Sequence, residues 1–62
     1  MVVIETKKSE SGITIALLKR DSKYEPYIVA WGYSEKLGDW GQGHYFSNIE
    51  DAIECYKGYG KE

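Results

Sequence analysis

The chain has 62 residues, with eight Lys or Arg against ten Asp or Glu and a formal charge of -2 at pH 7. A domain of this length buries only about 60% of the surface its extended chain exposes, which excludes a multidomain protein and most enzyme folds. With 42% apolar and 15% aromatic residues the chain reads as one folded domain spanning 1–62 rather than a disordered segment.

The first stretch, Val2-Val3-Ile4-Glu5-Thr6-Lys7, is rich in β-branched residues and predicts a strand. Lys8 to Gly12 supply turn chemistry, and Ile13 to Leu18 predict the second strand. A four-residue loop at Ser9–Gly12 sets Ile4 against Leu17 and Thr6 against Ile15. Val2, Ile4, Ile13, Ile15 and Leu17 then share the core face, and Val3, Glu5, Lys7, Thr14, Ala16 and Leu18 the solvent face.

Lys19 to Lys23 form the next polar break, and Pro26 stands just before a third strand, Tyr27–Tyr33, where its missing N–H does least harm. A three-residue loop, Lys36-Leu37-Gly38, would return the chain as a fourth strand over 40–46, with Gly38 left-handed. That register places Tyr33 opposite Gly41, Trp31 opposite Gly43, Ala30 opposite His44 and Val29 opposite Tyr45, so large rings cover glycines.

Ile49, Ala52, Ile53 and Tyr56 recur at helical spacing and predict a helix over 48–57. Ser47 is the expected N-cap with Glu50 completing a capping box, and Gly58 or Gly60 is the expected stop. The fold class is therefore α+β: a four-stranded antiparallel sheet of two consecutive hairpins, with one C-terminal helix packed on one face.

The small residues Ala30 and Gly32 favour close approach of the helix to their face of the sheet. Tyr27, Val29, Trp31, Tyr33 and Tyr45 would then form an exposed stripe on the other. The reverse assignment makes that ring-rich surface the core, since each large ring removes about 150–250 Å² from water.

Catalytic signals are weak. His44 is the natural starting point for acid–base chemistry, yet Cys55 lies late in the expected helix, away from the N-terminus that would stabilise a thiolate. Glu50, Asp51 and Glu54 fit helix capping and a solvated face. Gly38 to His44 lack the Lys-Ser/Thr of a phosphate loop. One Cys and one His offer no internal disulfide and too few ligands for a Cys/His zinc site, and no cofactor or metal is expected.

No apolar run approaches the eighteen or so residues of a membrane span, and residues 1–5 lack signal-peptide features, so a cytoplasmic setting is expected. The expected function is noncatalytic: a protein-interaction module, a small regulator or inhibitor, using Tyr27, Val29, Trp31, Tyr33 and Tyr45. Self-association as a homodimer is one form of that reading. The alternative is binding of single-stranded nucleic acid, with those rings stacking bases and Lys7, Lys19, Arg20 and Lys23 contacting the backbone.

Overall fold

Strand, strand, strand, strand, helix is the order found in the computed structural model, which describes residues 1–59. The strands are β1 (Val2–Lys8), β2 (Thr14–Lys19), β3 (Tyr27–Trp31) and β4 (Gln42–Phe46), and the helix is α1 (Ile49–Gly58). They form one antiparallel sheet in the order β1-β2-β3-β4, with α1 packed over β2, β3 and β4 and not over β1.

Both outer hairpins turn at different lengths from those expected. Ser9 N–H donates to the Ile13 carbonyl at 2.8 Å, so the first loop holds only Glu10, Ser11 and Gly12, with Gly12 left-handed at φ 84°. The second closes with Ser34 against Asp39 and holds four residues, Glu35 to Gly38, with Gly38 left-handed at φ 64° as expected.

One extra loop residue moves β4 by one position. The observed pairs are Ile28 with Tyr45, Val29 with His44, Ala30 with Gly43 and Trp31 with Gln42, not those the three-residue loop implies. Since side chains alternate across a strand, the slip exchanges the two faces of β4 relative to β3.

In β1 the register holds at Val2–Lys19 and Val3–Leu18, then shifts at a bulge on Ile4, so Glu5 faces Leu17 and Lys7 faces Ile15. The bulge carries Glu5 and Lys7 to the helix side, opposite to their expected placement.

The helix covers the face of β3 that carries Tyr27, Val29 and Trp31, not the Ala30 face expected to receive it. Ile15, Leu17, Val29, Ala52 and Tyr56 form its core, with Tyr27, Trp31, Phe46, Ile53, Cys55 and Tyr59 packed around them. Val2 and Ile4, expected in the core, are 60% and 44% exposed. Ala16 and Leu18, expected toward solvent, are fully buried with Ile28 and Ala30 on the far face.

Among the described residues no second helix covers that far face; Tyr33 and Trp40 pack on it instead. A Cβ on Gly43 would lie 2.8 Å from Trp40 Nε1, so this glycine leaves the space the indole occupies.

The helix begins one residue later than expected. Asn48, not Ser47, is the N-cap: its Oδ1 accepts from Asp51 N–H at 2.8 Å and its Nδ2 donates to Asp51 Oδ2 at 2.9 Å. Asp51 thus takes the partner role expected of Glu50. Gly58 is the last helical residue and Tyr59 the C-cap; the alternative stop, Gly60, lies outside the described residues.

Two substitutions test these assignments. Gly43→Val must displace the Trp40 indole and is expected to lower unfolding free energy by about 1–3 kcal/mol, with a change in tryptophan emission. Trp31→Ala is expected to destabilise the fold by up to about 3 kcal/mol, the low end for a large aromatic because Trp31 is only half-buried. Urea titration of each variant reads both; wild-type stability in Trp31→Ala would return Trp31 to an exposed surface.

Candidate functional site

The five residues expected to form one aromatic stripe are divided between the two faces. Tyr27, Val29 and Trp31 lie on the helix side, where Val29 is fully buried and the two rings pack against the core. Tyr33 packs on the far-face cluster, and Tyr45 pairs with Ile28 on that same face. Tyr45 is the one exposed member, and the Arg20 guanidinium stacks 4.9 Å from its ring centre.

The four basic residues expected along a nucleic-acid backbone do not make one track. Lys7 and Lys19 sit toward opposite ends of the β1–β2 ladder, paired with Ile15 and Val2. Arg20 Nε donates to the Glu25 carbonyl at 3.0 Å, and Lys23 lies 5.9 Å from the Tyr24 ring centre. Lys7 Nζ donates to the Tyr56 carbonyl at 2.6 Å and lies 4.5 Å from that residue's ring centre. A cation there satisfies a carbonyl of the last helical turn and opposes the negative end of the helix dipole.

His44 and Cys55 both line a shallow hollow of about 210 Å³, together with Gly58 and Tyr59. The Tyr59 ring lies 5.4 Å from the His44 ring and 5.5 Å from that of Trp31, centre to centre. Burial pushes the Cys55 thiol pKa up, which keeps the sulfur protonated and weakly nucleophilic. Among the described residues no group of three or more His, Cys, Asp or Glu is placed to hold a metal ion. No helix there is long and apolar enough to cross a membrane.

A larger feature lies along β1. Because α1 stops short of this strand, a groove of about 440 Å³ opens between them, lined by Ile4, Glu5, Lys7, Leu17, Ile53, Tyr56 and Lys57. Beside it runs an outer sheet edge on which Met1, Val2, Val3 and Ile4 are 68%, 60%, 42% and 44% exposed. Its sequence signal was the β-branched run opening the first strand, which a consecutive four-strand order leaves at an edge. The bulge at Ile4 that directs Glu5 into the groove has no glycine or proline to announce it.

Tyr56 forms the inner wall of the groove and is 5% exposed. Among the described residues its hydroxyl has no hydrogen-bond partner. Burial first, and then the negative charge of nearby Glu5, push its pKa up to about 12.

Comparison with known proteins finds no matching family model, no similar curated protein and no similar solved structure.

The raised Tyr56 pKa has a definite pH consequence. A phenol that ionises near 12 when folded and near 10 when unfolded favours the folded state below pH 10. That contribution is lost as pH rises from 10 through 12. Stability is expected to fall across this window, with a late step in the tyrosine absorbance titration; Tyr56→Phe removes that step and flattens the fall. An unchanged late step in Tyr56→Phe would assign it to another tyrosine.

Proposed function

We propose that this protein is a noncatalytic protein-binding module that accepts a partner's extended strand on the outer edge of β1. The carrying observation is that edge: Val2, Val3 and Ile4 stand exposed together on a strand with one neighbour, β2. An edge strand offers unpaired N–H and C=O groups, and an added strand satisfies them while its alternate side chains enter flanking pockets.

The groove supports the same reading. Its floor and walls carry Ile4, Leu17 and Ile53, while Glu5, Lys7 and Lys57 place both signs of charge along it. A partner strand on β1 would direct every second side chain over this trough. Affinity would come from main-chain bonds and selectivity from the groove. A role as a small regulator or inhibitor fits such a surface, since capping a partner's edge needs no chemistry. The protonated Cys55 thiol is compatible with a module that only binds.

Site-specific photo-cross-linking tests the proposal. A photoreactive side chain at position 3 is expected to give discrete polypeptide adducts, and one at position 37, on the exposed tip of the second hairpin, to give none. Ile4→Lys should weaken the adducts at position 3 at least about tenfold, as like- or solvated charge replaces apolar contact. Equal labelling from both positions, or none from position 3, would overturn the β1 edge as the binding surface.

A further inference from the structure

We infer that the strand received by β1 is β1 of a second copy, paired antiparallel about a two-fold axis through Val3. This rests on the edge-strand reading and names its occupant. A two-fold relating neighbouring antiparallel strands stands perpendicular to the sheet, so one residue must face its own copy at the centre. Both helices then lie on the same side. The choice reduces to which residue of β1 occupies the axis.

The bulge and the charges decide it. Centred on Glu5, the pairing sets two like carboxylates against each other, which is unfavourable. With Ile4 on the axis, Val3 would meet the partner's Glu5, yet the bulge places these residues on opposite faces. A Thr6 centre opposes Glu5 and Lys7, but Lys7 already holds the Tyr56 carbonyl at 2.6 Å, and Val2 and Val3 stay largely uncovered.

Centred on Val3, the Val3–Val3 and Val2–Ile4 pairs match in face and in chemistry. Val3 meets its copy on the face it shares with Leu18, and Val2 meets the partner's Ile4 on the helix side. The three exposed apolar residues of the strand, Val2, Val3 and Ile4, are covered together. Lys7 and Lys8 fall beyond the overlap, so no lysine is brought opposite another. The overlap is short, which places the interface at the small, weak end of protein contacts.

Sedimentation equilibrium over loading concentrations from about 20 μM to 1 mM is expected to show a reversible monomer–dimer equilibrium, weakened at least about tenfold by Val3→Asp. Since Val3→Asp also touches Leu18, disulfide trapping in a Cys55→Ser background provides an independent readout of register. Val3→Cys should oxidise readily to a covalent dimer. Val2→Cys and Ile4→Cys should cross-link to one another when mixed and much less to themselves, because facing Cβ atoms lie about 4.5–5.5 Å apart.

A monomer throughout the concentration range would overturn self-pairing, as would rapid self-oxidation of Thr6→Cys in place of Val3→Cys. If position 3 of that monomer still photo-cross-links to a different polypeptide, the edge-binding function stands and only the identity of its occupant falls. Loss of both signals would overturn both.

Discussion

One helix has to serve a sheet with two faces, and most of the arrangement follows from that shortage. The helix side is filled by Ile15, Leu17 and Val29 beneath Ala52 and Tyr56. The far side carries four fully buried residues, Ala16, Leu18, Ile28 and Ala30. Tyr33 and Trp40, from the β3–β4 hairpin, return over them in the role another helix would take. The Trp40 indole fits because Gly43 presents no side chain beneath it. In so small a chain the fold requires its rings as core, which is why Trp31 and Tyr27 are not available as an exposed platform.

This use of the rings explains what the sequence showed and what it concealed. Strand and helix positions were legible because β-branched runs, glycine turns and an i, i+3, i+4, i+7 stripe report local backbone preference. The two loop lengths were not. Gly12 and Gly38 both announce a left-handed turn residue, and that signal is shared by the three-residue and the four-residue loop observed. The rings-over-glycines criterion selected the wrong register for β4. In the structure Gly43 is covered by Trp40, three positions before it in the chain, rather than by Trp31 across the ladder.

The choice between adjacent capping residues had the same local degeneracy. Ser47 and Asn48 are both strong N-cap types, and each has an acidic residue three positions on. Face assignment depended on parity, so one residue's error in a loop exchanged the faces of β4 relative to β3 and set His44, not Tyr45, on the side of Val29. Of the candidate site, the apolar character of Val2, Val3 and Ile4 was readable, but their solvent exposure was not. Exposure depends on where the helix settles relative to the four strands.

That placement has a simple geometric cause. A helix about 10 Å wide spans two to three strands spaced about 4.8 Å apart, so one strand of four remains uncovered on its side. Only Ser47 and Asn48 separate β4 from α1, which ties the helix to the β4 end of the sheet and leaves β1 as the uncovered strand. Bulges and lysines are common protections for such an edge. Here they protect it unevenly. Lys7 and Lys8 guard one end and the bulge turns Glu5 inward toward the groove, while Val2 to Ile4 carry no charge and no proline. The unguarded half of the strand adjoins the groove that the displaced helix leaves open, so backbone edge and side-chain trough form one continuous surface.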